Sequence, residues 1–238
     1  MTLPVANQSD LVQTIAANAA DIHIRMAAAA ARAGRDPDAV RLIAVTKTFP
    51  VEVCRAALDA GLTNLGENRV QEGVAKAAAL DEQGRQPIWH LIGHLQTNKV
   101  KAALTAFAMI HSVDSIDLAA AINRRASASV AILLEINVAA ESSKFGLSPD
   151  ALPAALEQIA AMPHLDVRGL MTVAPQTHDA ERVRPVFRRL HDLAVSLGLP
   201  ELSMGMSGDF EVAIEEGATM VRFGSALFGP RPAPGGSA

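Results

Sequence analysis

Leu42-Ile43-Ala44-Val45-Thr46-Lys47 is a short apolar run that stops on a lysine. It reads as the first strand of a repeating strand/helix pattern, because Val/Ile/Leu-rich runs recur at 63–67, 88–93, 109–113, 130–137, 167–172, 201–206 and 220–224. Between them lie alanine- and leucine-rich stretches of helical periodicity, at 51–60, 70–80, 115–125, 149–161 and 180–197. Eight such units in 238 residues predict a single closed (β/α)8 TIM-type barrel, for which that length is ordinary. An open doubly wound sheet is the alternative, but it usually needs fewer strands, and no G-x-G-x-x-G follows the first run. An extra N-terminal helix is expected from Ser9-Asp10 to near Gly34, with Gln13 placed to reach back to the cap. Its Leu11, Ile15, Ala19, Ile22 and Met26 form one stripe. The expected organisation is an extension at 1–9, one barrel at 10–229, and a disordered Pro/Gly-rich tail at 230–238.

Composition narrows the function classes. The uncharged apolar runs are far shorter than the ~20 residues of a membrane-spanning helix, so no membrane association is expected. The first ten residues carry neither a basic region nor a continuous apolar one, so no secretion signal is expected. A single cysteine, Cys54, excludes an internal disulfide and a cysteine-rich metal site, and fits the cytoplasm. A formal net charge of −4, with basic residues scattered among acids, gives no footprint for nucleic acid. No large apolar stripe is left to be covered, which fits a monomer.

In barrels of this kind chemistry sits where the strands end, and phosphate is often held by the loops after strands seven and eight. Lys47 stands at such an end. It is either a solvated strand-end lysine or a Schiff-base lysine whose amine a partly desolvated site makes nucleophilic. After strand seven, Ser207 and Gly208 place a hydroxyl and a small backbone at a helix start. After strand eight, Gly224 and Ser225 do the same. Two such loops side by side favour a phosphate, although Ser207 could be an N-cap alone, with Asp209 and Glu211 complementing the helix dipole. His90 and His94 are four apart on a strand and lack the helix and acid of a zinc motif, so no metal is expected. His94 is placed at the mouth, with Gln96, Thr97 and Asn98 opening the next helix. Asn137 and Lys144 are further mouth candidates; a turn asparagine and a surface lysine are their plain alternatives.

Ala44-Val45-Thr46-Lys47, Gly66-Glu67-Asn68-Arg69-Val70-Gln71-Glu72, the segment from His90 to Lys99, and Ser203-Met204-Gly205-Met206-Ser207 follow one known pattern in order. Over residues 10 to 231 the chain resembles the pyridoxal phosphate homeostasis protein family, also called the YggS or PROSC family. The resemblance implies the barrel of the N-terminal part of alanine racemases (fold type III), with pyridoxal 5′-phosphate (PLP) joined to Lys47 as an internal aldimine. It also implies a carrier or regulator of PLP rather than a strong catalyst, with apo PLP-dependent enzymes as recipients.

By the same resemblance Arg222 faces the pyridine nitrogen and keeps it unprotonated. Its plain alternative is an ion pair with Glu67 across the mouth. Asn68 approaches the cofactor's phenolic oxygen or ring, or else is a turn or cap residue. Met204 and Met206 pack near the ring, or else fill gaps. Racemases that share this barrel use a tyrosine from an added domain as second base, and this chain contains no tyrosine. Two-base racemisation is therefore not expected. A PLP enzyme with weak racemase or related activity is the alternative function, and an aldolase-like barrel is a third; a bound chromophore and amino-acid turnover separate the three.

Overall fold

The computed structural model describes residues 8–141 and 145–230. Most of the expected extension and tail, and Lys144, lie outside those residues. Eight parallel strands close in chain order: β1 (Arg41–Val45), β2 (Asn64–Glu67), β3 (Ile88–Leu91), β4 (Met109–Val113), β5 (Val130–Glu135), β6 (Leu165–Met171), β7 (Glu201–Met206) and β8 (Met220–Phe223). Ala44 on β1 pairs with Leu65 on β2 and with Phe223 on β8, which seals the barrel. All eight expected strands are present.

The helices are α1 (Gln8–Arg32), α2 (Val51–Asp59), α3 (Val70–Asp81), α4 (Val100–Ala103), α5 (Ile116–Arg125), α6 (Leu152–Ala160), α7 (Arg184–Ser196), α8 (Phe210–Glu215) and α9 (Ser225–Phe228). α5 starts where Ser115 accepts a hydrogen bond from Leu118 N. Three boundaries differ from expectation. Ser9 and Asp10 lie inside α1, where the Asp10 carbonyl accepts from Thr14 Oγ1 at 2.8 Å. The 180–197 stretch begins as a 3₁₀ turn, Ala180–Val183, opened by Asp179, whose side chain accepts from Glu181 N; the α-helix starts only at Arg184, beside a proline. The helix expected after Gln96 is a 3₁₀ turn, Thr97–Lys99, followed by the single turn of α4.

Alternation along the strands divides the core in two. Ala44, Leu65, Leu91, Ile132, Leu170 and Val221 face outward against the helices. Ile43, Met109, Leu133, Met171 and Met220 face inward and plug the barrel below its mouth. α1 completes the outer ring: the helix after β8 is only four residues long, and α1 packs against α2, α8 and α9 beside it. It buries Ile15, Ile22 and Met26, each contributing about 1.5–3 kcal/mol. Its ion pairs, Arg25–Glu211, Arg32–Glu211 and Arg32–Glu215, use half-exposed arginines that solvent screens, so the apolar stripe holds it.

Candidate functional site

The inward alternation that buries Ile43 continues through Val45 to Lys47, and the one that buries Met220 continues through Arg222 to Gly224. Both rows rise into a cavity of about 360 Å³ at the barrel mouth. Lys47, Asn68, Met206, Ser207, Gly208, Arg222, Gly224 and Ser225 all line it, with Val45, Phe49, Ile92 and Val173 as the apolar wall. β1 itself ends at Val45, two residues short of the expected boundary. Thr46 N still donates to Gly66 O at 3.0 Å, and the chain then turns through Thr48 at φ 67°. Lys47 is therefore a turn residue just past the strand. Another hollow, of about 400 Å³, lies outside the barrel against α3, lined by Val74, Asp81 and Arg85, and contains none of these residues.

Arg222 is buried and held from below by three hydrogen bonds. Its Nη1 donates to Ser203 O at 2.8 Å and Ser203 Oγ at 2.6 Å, and its Nη2 to Thr172 O at 2.9 Å. Burial lowers its pKa to about 10, so it keeps its proton at neutral pH. The row continues across the interior: Ser203 Oγ lies 2.9 Å from His111 Nδ1, His111 Nε2 2.9 Å from His90 Nδ1, and His90 Nε2 3.1 Å from Asn64 Oδ1. With Asn64 Oδ1 as terminal acceptor, every link has one donor: Arg222 to Ser203, Ser203 to His111, His111 to His90, His90 to Asn64. That requires both imidazoles neutral. Burial, then the charge of Arg41, lowers His90 to about 4, and burial holds His111 well below its usual range. Glu135, at the C-terminal end of β5, is pushed up to about 7 by burial and by Asp114.

Residues 8–232 match the family described as alanine racemase, N-terminal domain. The Aquifex aeolicus pyridoxal phosphate homeostasis protein is 45% identical over 216 residues, covering 87% of this chain and 94% of that protein. This chain belongs to the pyridoxal phosphate homeostasis protein family. The Pseudomonas aeruginosa protein of the same name is 42% identical over 92% of this chain and 97% of its own. Among solved structures, PipY of Synechococcus elongatus with PLP bound is 37% identical at a TM-score of 0.79, over 90% of this chain and all of that one. An alanine racemase from Corynebacterium glutamicum, 21% identical, shares the barrel at a TM-score of 0.69 over 95% of this chain and 63% of its own.

Within this member of the pyridoxal phosphate homeostasis protein family, several sequence readings find their place. Met204 is not at the cavity: it is fully buried in the sheet–helix core, while Met206 lines the mouth. Gly205 at φ 91° and a register shift between Ser203 and Met206 reverse the alternation between the two methionines. Asn68 is not a cap, since α3 starts after Arg69 without a side-chain cap. Gly93 lets the Asn68 backbone come close, since a Cβ on that glycine would collide with the Asn68 carbonyl. Arg222 does not pair with Glu67, which bonds Lys76 at 2.7 Å. Asp209, not Ser207, closes the strand-seven loop, accepting from Met206 N at 2.6 Å. His94 stacks on Phe145 and bonds Asp114 at 3.0 Å. Asn137 closes its own loop by donating to Glu141 O at 2.8 Å. His111, Ser203 and Lys76 were not singled out from sequence; for Lys76, its i,i+4 spacing from Glu72 was the available signal.

Proposed function

We propose that the protein binds PLP, holds it as a Schiff base on Lys47, and takes part in intracellular PLP homeostasis and delivery. One observation carries this reading. The lysine, the arginine and both hydroxyl/glycine loops line a single cavity, of a size within the roughly 300–1,000 Å³ usual for small-molecule sites. The names of its relatives and the PLP-bound PipY support it. When bound, the cofactor would supply an aldehyde for the amine of Lys47 and a ring able to accept charge. Ser207-Gly208 and Gly224-Ser225 would hold its phosphate, where a Cβ on Gly208 meets nothing and one on Gly224 is in ordinary contact with Val45 O at 3.6 Å. Asn68 and Met206 would flank the ring.

Arg222 would face the pyridine nitrogen. A guanidinium that keeps its proton leaves that nitrogen unprotonated and the ring a poor electron sink. With no tyrosine to serve as a second base, we expect alanine racemisation to be absent or far below ordinary enzyme rates of about 1–1000 per second. Turnover in that range, measured with the PLP-loaded protein, would replace the carrier reading with an enzymatic one. The same reading places the protein in the cytoplasm as a monomer. Its one cysteine, Cys54, is a buried free thiol, and among the described residues the most exposed large apolar side chains, Ile24 and Val195, are scattered on α1 and α7. No helix of the described residues is long and apolar enough to cross a membrane.

Titration with PLP and with pyridoxal tests the site: PLP should bind much more tightly, and equal affinities would remove the phosphate loops from it. Mixing the loaded protein with an apo PLP-dependent enzyme tests delivery. Activity should appear as fast as with free PLP, and failure to appear would restrict the protein to storage.

A further inference from the structure

Lys47 stands between two residues held by one buried charge. Lys76, on the second turn of α3, is only 7% exposed, and its ammonium makes three hydrogen bonds: 2.8 Å to Thr46 O, 2.7 Å to Glu67 Oε1 and 2.7 Å to Glu72 Oε1. Those three satisfy every proton it carries. Glu67 Oε1 also accepts from Thr46 Oγ1 at 2.6 Å, and Glu72 Oε1 accepts from Thr48 N at 2.6 Å. The turn is thus gripped on each side of Lys47, at Thr46 and at Thr48, while the lysine side chain lines the cavity.

Two features say that the cluster sets geometry rather than adding general stability. Thr48 lies at φ 67°, a region that a β-branched residue occupies only where its surroundings impose it. Thr48 is the third residue of a turn closed by Phe49 N donating to Thr46 O at 3.1 Å, and the charge-assisted bond from Thr48 N to Glu72 braces that turn. An ammonium between two carboxylates in a buried place also pays a desolvation cost that apolar residues of the same volume would avoid. We propose that the Glu67–Lys76–Glu72 cluster is a positioning device for the Lys47 amine: it fixes the backbone on both sides of the lysine so that the amine meets the aldehyde group of a bound cofactor. Burial alone would lower the amine of Lys76, but the two carboxylates outweigh it and raise its pKa, so the ammonium keeps its proton, while burial raises the carboxyl of Glu67 in turn.

The inference rests on Lys47 as the attachment point, and the test separates the two. Wild type, Glu72→Ala, Glu72→Gln and Lys76→Met are titrated with PLP, following the visible band, and with pyridoxine 5′-phosphate. The latter has the same ring and phosphate but an alcohol in place of the aldehyde. Glu72→Ala should slow formation of the band and weaken PLP by about tenfold to a hundredfold, the scale of a misplaced reacting group. Its affinity for pyridoxine 5′-phosphate should be nearly unchanged, and its melting temperature should fall by only a few degrees, the effect of one ammonium proton left unpaired. Glu72→Gln keeps a carbonyl acceptor for Thr48 N–H and should fall in between. Equal losses for both ligands, or a Glu72→Ala protein indistinguishable from wild type towards PLP, would overturn the clamp. If Lys76→Met fails to fold, the two Glu72 variants still decide. A wild type that forms no reducible band removes the attachment itself, and the clamp with it. A wild type that forms one matched by every variant removes the clamp alone.

Discussion

Gly224 has room at its Cβ position: the nearest atoms there, Val45 O at 3.6 Å and Val45 Cβ at 3.8 Å, are in ordinary contact. Its smallness serves the cavity, so Gly224→Leu should fold normally yet lose PLP affinity by well over a factor of ten, the longer side chain entering the space of the phosphate. Ser225→Ala should cost only about 0.5–3 kcal/mol of binding, the range for one hydroxyl bond to a charged group. A titration in which the serine change hurts more than the glycine change would contradict this division. That Lys47, Arg222, Gly224 and Ser225 would meet at one mouth was legible in the sequence, because a barrel brings the ends of its strands together. Met204 was misplaced because Gly205 reverses the alternation beside it, and no local pattern announces that reversal.

α1 is the element that makes the ring complete, and its weight lies in its apolar stripe. Ile15→Ala removes a fully buried side chain between α1 and the helices beside it, and should cost about 2–5 kcal/mol in denaturant unfolding with the m-value unchanged. A loss below about 0.5 kcal/mol, the usual scale for surface changes, would mean that α1 is only loosely attached. PLP affinity should not move, because no α1 residue lines the cavity. The strands were readable because parallel strands covered on both faces appear as continuous apolar runs. α4 and α9 were not, since four residues cannot establish a 3.6-residue period. That α1 takes the place beside the short α9 is a tertiary fact, invisible to periodicity.

Across the whole molecule, charge is rationed between the inner wall and the mouth. His90 and His111 stay neutral when folded but titrate near 6.5 when unfolded. Below that pH the unfolded chain binds protons the folded one refuses, so their stabilisation is complete above about 6.5 and is lost as pH falls. For His90 alone, held to about 4, this amounts to something on the order of 3 kcal/mol. Glu135 has the opposite sign: its carboxyl is raised to about 7, so it costs stability as pH rises through that value. Glu135→Gln should therefore be more stable than wild type at pH 8, and its stability should fall more steeply towards pH 5. Parallel pH profiles for the two proteins would refute the assignment. The row from Asn64 to Arg222 could not be read from sequence, because five strands' worth of chain separates residues that only barrel closure makes neighbours. The central claim, that Lys47 carries the cofactor, has one direct measurement: borohydride reduction of the PLP-saturated protein, followed by mass mapping of the labelled peptide. We predict label on Lys47 and loss of the reducible visible band in Lys47→Ala with the fold intact. Label fixed instead on Lys144 or Lys99, with Lys47 unmodified, would contradict it.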